Sequence, residues 1–308
     1  MDIMTLINAF PGAIAQGLIW GIMAIGVYLT FRILDFADLT VDGSMCTGGA
    51  VCIMMMQAGY GVWPSMLAAT IAGMLTGLAT GVFHTFMGIP AILSGILTQL
   101  SLYSVNLKIM GKANQAISVG KYDLLVSLRY IKGVPFYQNT IFVVAVFIII
   151  MIAVLYWFFG TELGCAIRAT GCNSSMSRAQ GINTNFNKVL GLMISNGLVA
   201  LSSALLAQYQ GFADVNMGRG AIVIGLAAVI IGEAVFSKIF RNFALRLLSV
   251  ALGSILYYLV LQTVIWLGID TDLLKLLSAI VVAIFLATPY WKGKYFSKPL
   301  KRGGNPNA

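Results

Sequence analysis

Few residues in this chain can make or break bonds. It has one histidine, His84, four cysteines and ten acids in 308 residues. A lone histidine excludes a multi-histidine zinc site and the HExxH arrangement, and no GxxxxGK[ST] loop is present to cradle a nucleotide. Cys46, Cys52, Cys165 and Cys172 form no CxxC pair, so they read as small buried side chains with no metal or disulfide role. The remaining candidates bind rather than react. Gln99 and Asn196 lie inside long uncharged runs, where they would sit near the centre of a bilayer, and Asp38, Asp42 and Asp214 lie at the edges of such runs. Groups of this kind either knit helices together, at about 0.6 kcal/mol each, or line a polar path. Both readings stand for each of them.

The elements that position these residues follow from composition. The chain is 59% hydrophobic and 9% charged, with a mean hydropathy of +0.91. Soluble domains carry about 25% charged residues. The uncharged runs are far longer than the strands of an outer-membrane barrel, so helices must satisfy the backbone in lipid. The fold class is an all-α integral membrane protein. The net charge of +9 is spread over the ends of apolar runs. That suits a membrane surface of anionic lipid and gives no clustered basic face for nucleic acid. The N-terminus lacks the basic stretch and small-residue cleavage site of a signal peptide, so its first apolar run is expected to persist.

Since about 20 residues cross a bilayer once, about nine crossings are predicted. They fall near 10–31, 43–58, 64–86, 90–107, 139–160, 189–208, 220–237, 247–267 and 273–290. The stretch from Gly43 to Leu107 holds no Asp, Glu, Lys or Arg and is broken by turn signals at Gly59–Pro64 and Gly88–Pro90. Gly73, Gly77 and Gly81 recur on one helix face, a signature of close helix contact. Lys/Arg bias places the basic tail from Lys292 to Arg302, the 238–246 turn and the 161–188 loop in the cytoplasm. The N-terminus then lies outside. The segment 108–138, with Lys108, Lys112, Lys121, Arg129 and Lys132, also lands outside, against the bias.

That polar loop, 161–188, interrupts two uncharged runs. Leu163, Ala166, Ile167 and Thr170 fall at helical spacing, with Arg168 and Asn173 elsewhere on the wheel. Ala169 and Gly171 would let another backbone approach. The pattern fits an ordinary loop or a short helix that docks into another protein. A second feature is a repeat. Phe36-Ala37-Asp38 recurs as Phe212-Ala213-Asp214, each after a long helix and before a glycine-bearing stretch that opens a short apolar run. With the predicted topology one copy lies inside and the other outside. The halves, about 10–108 and 189–290, therefore read as inverted repeats with short or broken helices within one domain, 1–308. The plain alternative for the two aspartates is a pair of local caps.

The central loop Gly164-x-x-Ile167-Arg168-Ala169-x-Gly171-x-Asn173 with Ala179-x-Gly181-Ile182-Asn183 carries a resemblance. So do Gly218-x-Gly220 before a short helix, and Asp38, Asp42, Gly43 and Gly48-Gly49. The chain resembles permease subunits of ABC importers of the branched-chain amino-acid and ribose superfamily. It is nearest the single-permease subgroup that works with aromatic-amino-acid-type binding lipoproteins. One departure is Gly232-Glu233-Ala234, where relatives often carry a glycine pair. The resemblance implies a homodimeric permease in the cell membrane, multi-pass, with a cytoplasmic C-terminus. It implies cytoplasmic ABC ATPase subunits that receive Ile167, Arg168, Ala169, Gly171, Asn173 and Gly181 as a coupling helix. It further implies an extracellular substrate-binding lipoprotein, and a path bordered by Asp38, Asp42, Gln99, Asn196, Asp214, Gly218 and Gly220. The chain itself would bind no cofactor or metal and would not be an enzyme, with ATP–Mg on the partner. The implied solute is an amino acid, with an aromatic one suggested by the subgroup. An ion-coupled secondary transporter is the alternative, since it too uses inverted repeats.

Overall fold

The computed structural model describes residues 3–118, 122–131, 135, 138–236 and 239–268, with isolated positions between 273 and 287. Ten helices are described: α1 Ile3–Tyr28, α2 Val41–Gln57, α3 Val62–Thr85, α4 Ala91–Met110, α5 Thr140–Gly160, α6 Glu162–Cys172, α7 Ser174–Ala179, α8 Thr184–Gln210, α9 Ala221–Phe236 and α10 Phe243–Trp266. A π turn, Leu29–Ile33, extends α1. The strands β1 Asn114–Ala116 and β2 Phe212–Asp214 pair antiparallel. Each of the first eight predicted crossings is a helix. The ninth, 273–290, is described only at isolated positions, and the basic tail lies outside the described residues.

Among the described residues, five helices are long and apolar enough to cross a membrane, and α9 is a shorter apolar helix. The spanning segment Ile7–Ile33 is 83% buried and α8 is 67% buried, whereas α5 is 28% buried. In a bilayer a helix apolar on all sides can face lipid, and buried polar side chains such as Asn196 and Gln208 need helix partners. So α1 and α8 form the axis and α5 faces outward. The two axial helices run antiparallel. Tyr209 Oη donates to Gly12 O at 3.3 Å, Ser202 Oγ to Ile19 O at 2.7 Å and Ser195 Oγ to Gly26 O at 2.7 Å. Rising numbers on α1 meet falling numbers on α8.

The remaining contacts show two exchanged halves. Helix α2 runs parallel to α8, with Ser44, Gly48 and Cys52 opposite Asn196, Ala200 and Ala204. Helix α9 runs parallel to α1, with Gly225 on Met23 and Val27, and Glu233 at Arg32. Helix α3 crosses α8 antiparallel through Gly73, Gly77 and Gly81, which lie on Ala200 and Asn196, Leu192 and Val189. Helix α10 meets α1 in the same sense, with Ile255 and Ala251 on Gly17 and Gly21. Each short helix thus lies against the long axial helix of the other half. The glycine stripe read from the sequence is a backbone-to-backbone contact: a Cβ at Gly77 would collide with the Leu192 carbonyl.

The two ends of the bundle differ. One carries α6, α7, Arg32, Glu233 and the start of α10. The other carries the β ribbon, whose Ala116 carbonyl accepts from Gln57 Nε2 at 2.9 Å. Lys108 and Lys112 flank that ribbon and are exposed. Lys108 and Lys112 therefore sit at the end opposite α6, so charge bias cannot hold for both ends at once.

Candidate translocation and coupling sites

The loops that enter α2 and α9 share one local geometry. Asp38 Oδ1 accepts from Thr40 N at 2.9 Å, and Asp214 Oδ1 accepts from Asn216 N two residues on, at 2.6 Å. These are Asx turns. The shift that carries Asp38 onto Asp214 also carries Asp42 onto Gly218 and Ser44 onto Gly220. In space the shifted partners meet. Asp42 Oδ2 accepts from Gly220 N and its Oδ1 from Ile222 N, both at 3.0 Å. A Cβ on Gly218 would run into the Asp42 carbonyl. The starts of two short helices thus converge, each with a positive dipole end. One carboxylate in the first half caps the helix of the second. Gly220, at φ +83°, supplies the left-handed turn before α9.

Deeper in the bundle a second polar knot forms. Asn196 Nδ2 donates to Asp38 Oδ2 at 2.7 Å, and its Oδ1 accepts from Ser44 Oγ at 2.6 Å. Ser44 and Thr76 share a 2.6 Å hydrogen bond, as do Thr40 and Thr80, and Thr80 Oγ1 donates to Thr98 Oγ1 at 2.9 Å. Asp38 is 3% exposed and Asn196 fully buried. The network ties α2, α3, α4 and α8 together. Buried polar groups retained in this way are costly unless each is satisfied.

The sequence-predicted path residues therefore divide. Asp38 and Asn196 are partners inside the knot. Asp42, Gly218 and Gly220 form the helix junction, and Gln99 joins Asp42 on the wall of a cavity of about 250 Å³. Asp214 holds the re-entrant loop, with Asn114 Nδ2 donating to its Oδ2 at 3.4 Å. Sequence reasoning missed Arg219, Asn106, Thr76 and Thr80. Arg219 had a signal, because it interrupts an otherwise nearly uncharged run. The threonines had only their spacing beside the glycine stripe, and their partners are on other helices.

The central loop folds as two helices with side-chain caps. Thr161 Oγ1 accepts from Gly164 N at 3.4 Å, Asn173 Oδ1 from Met176 N at 3.0 Å and Asn183 Oδ1 from Phe186 N at 3.1 Å. Each begins a helix by satisfying an orphan donor. Gly164, Ile167 and Thr170 face the bundle. Ile167 is 1% exposed, and Asn187 Nδ2 donates to Thr170 Oγ1 at 3.2 Å. Leu163, expected on that face, is 49% exposed. Gly164 takes its place because α6 approaches Phe158 and Phe159 too closely for a side chain. Gly171 admits a backbone as expected, but it is the chain's own: its missing Cβ would overlap the Ile33 carbonyl.

The proposed coupling residues thus split, with Ile167 and Gly171 inward, Ala169 half-buried, and Arg168, Asn173 and Gly181 exposed. The Arg168 guanidinium lies 5.6 Å from the Phe243 ring centroid. Cys46 and Cys52 are buried as expected, whereas Cys165 and Cys172 are exposed, because they fall on the outer face of α6. Glu233, the departure from the family pattern, pairs with Arg32, whose Nε donates to Oε1 and Oε2 at 3.0 and 3.1 Å. Arg32 is 52% exposed. Glu233→Gln is expected to lower stability by less than about 1 kcal/mol, as half-exposed pairs do, read as a small shift in thermal melting.

Comparison with known proteins gives this architecture a family. The chain matches the family described as branched-chain amino acid transport system / permease component over residues 11–286. It is 40% identical over 273 residues to the tyrosine transport system permease protein of Clostridioides difficile (strain R20291), covering 89% of this chain and 88% of that protein. It is 27% identical over 269 residues to the fructose import permease protein FruF of Bifidobacterium longum (strain NCC 2705), covering 86% of this chain and 73% of that one. The solved structure of PsaBC from Streptococcus pneumoniae in complex with Fab shares the fold, with a TM-score of 0.54 at 16% identity, covering 95% of this chain and 100% of that chain. An all-helical bundle with two short helices meeting head to head, matched along most of its length, belongs to the family of permease components of branched-chain amino-acid transport systems.

Proposed function

We propose that this chain is the membrane permease of an ATP-driven importer for a small solute, an amino acid, with an aromatic one favoured by its relation to a tyrosine transport permease. Two copies would form the path. Cytoplasmic ABC ATPases would dock on α6 and α7, and an extracellular binding lipoprotein would deliver the solute. ATP–Mg would sit on the ATPases, and the chain would act without a cofactor of its own. The observation that carries this reading is the α6–α7 hairpin. It is pinned to the bundle on one side by Ile167, Thr170 and Gly171. On the other it presents Arg168, Arg178 and the exposed apolar side chain of Met176, beside the exposed Phe186 at the start of α8. Apolar anchors beside charged groups suit a protein partner.

Uptake of radiolabelled L-tyrosine, L-phenylalanine and L-leucine into proteoliposomes holding the purified complex tests it. Uptake should need internal ATP and external binding protein, and should survive ionophores. Uptake that ignores ATP and collapses with an ion gradient would overturn it in favour of ion coupling. Met176→Asp is expected to weaken ATPase retention on the permease by about tenfold, the effect of a charge in an apolar contact, measured by co-purification of the assembled complex.

A further inference from the structure

The cavity beside the helix junction has walls that no fold requirement explains. It is bounded by the start of α2, the middle of α4 and the loop before α9. Asp42 and Arg219 both contribute to its wall, one negative and one positive, together with Gln99, Tyr103 and Asn106. Gln99 and Tyr103 lie about halfway along α4. Arg219 and Tyr103 have no partner that the fold needs, and Asn106 is only half satisfied, its Nδ2 donating to Gly43 O at 3.5 Å. The Arg219 side chain makes neither an ion pair nor a hydrogen bond among the described residues. Arg219 is exposed, so its guanidinium is open to a solute anion at the edge of the cavity. Asn106 is fully buried, and its Oδ1 has no hydrogen-bond partner. The Tyr103 ring is 46% exposed. By contrast, the Asp42 carboxylate is engaged by the backbone N–H groups of Gly220, Ala221 and Ile222, so it contributes to the wall mainly through its negative charge.

We infer that this cavity is a subsite for the zwitterionic head of an amino acid, with the carboxylate on Arg219 and the ammonium on Asn106 Oδ1 in the field of Asp42. The charge balance supports the class of ligand. A wall with one carboxylate and one guanidinium is neutral as a whole but polar end to end. It matches a solute that carries both charges and favours it over one that carries only one, because a single-charge solute meets one wall group of its own sign without the compensating attraction of the other. The α9 N-terminus beside Arg219 adds partial positive charge toward the carboxylate. The volume, about 250 Å³, is slightly below the range of drug-sized pockets and suits one amino acid. Tyr103 and Leu100 offer apolar surface to the solute's side chain. The inference rests on the amino-acid importer reading and adds to it the residues that read the backbone charges.

The test uses the full chain in nanodiscs, without the binding protein, so that upstream selection does not mask the site. In a Tyr103→Cys variant, alkylation at position 103 by N-ethylmaleimide is followed by mass spectrometry. The probes are L-tyrosine, L-phenylalanine and L-leucine, against phenethylamine and 3-phenylpropionate, which each lack one charge. At least one zwitterion should slow alkylation, and neither analogue should do so at the same concentration. Adding Arg219→Gln should weaken protection by about tenfold or more, the share of a charge-assisted bond, and Arg219→Lys should restore part of it. Equal protection by zwitterions and analogues, or no protection, would overturn the subsite if the wild-type complex still imports an amino acid. A wild-type complex that imports none would instead overturn the importer reading itself.

Discussion

Gly171→Leu is expected to abolish uptake while leaving the bundle folded. A side chain at position 171 meets the Ile33 carbonyl and the Leu34 backbone, not the far end of a flexible residue. Neither can retreat, because Leu34 N is tied back to Leu29 O at 3.0 Å and Leu34 is 3% exposed. Helix α6 must therefore lift away from the end of α1. Overpacking of this kind costs about 1–3 kcal/mol locally. The spanning helices have their own contacts and should keep most of the melting temperature. The proposed path from ATPase to membrane runs through this contact, so uptake should fall at least about tenfold, since a 1.4 kcal/mol shift in docking already does that. Ala169→Leu, at a half-buried position, should instead act on ATPase binding and leave α6 in place. Radiolabelled uptake beside thermal unfolding separates the two. Normal uptake by Gly171→Leu would mean that α6 docking is not needed for transport.

Asn196→Leu is expected to give the largest loss of stability among the polar substitutions. The amide donates to Asp38 and accepts from Ser44 at once, and it is fully buried. Removing it leaves a carboxylate that is 3% exposed short of one donor. Loss of a hydrogen bond to a charged group costs about 1.5–3 kcal/mol, and more when the charge stays buried. The double variant Asp38→Leu with Asn196→Leu should recover part of that loss, because removing both partners avoids the stranded charge. Detergent-solubilised protein followed by thermal denaturation reads both. If Asn196→Leu melts with the wild type, the knot is not a stabilising element.

How much of this was legible depends on the range of the interaction. Runs without charge located the helices, since the bilayer demands them whatever the side chains do. Boundaries slipped where a side-chain cap decides. Helix α8 begins at Thr184 and not near 189, because Asn183 caps it and carries the charged Lys188 into the helix. Repeat symmetry was visible as Phe36-Ala37-Asp38 against Phe212-Ala213-Asp214, and the matching Asx turns follow from those residues alone. What the repeat did not reveal is that Asp42 meets its own shifted counterpart, Gly218. Only the crossing of the halves creates that contact.

Leu163 shows the same limit on α6. Its helical spacing with Ile167 suggested a shared face, but the approach of Phe158 and Phe159 hands that face to Gly164. The roles of Arg219 and Asn106 were unreadable because their cavity joins α2, α4 and the loop before α9, which are distant in sequence. A lone arginine in a greasy run was the available hint.

The side of the membrane on which α6 lies tests the central claim most directly, and the native thiols report it. Cys165 and Cys172 are exposed on α6, while Cys46 and Cys52 are buried. A membrane-impermeant maleimide should leave Cys172 unmodified in intact cells and label it in inside-out vesicles, with labelling suppressed when the ATPase is bound. Labelling of Cys172 in intact cells would place the hairpin where no cytoplasmic ATPase can reach it, and would contradict the account.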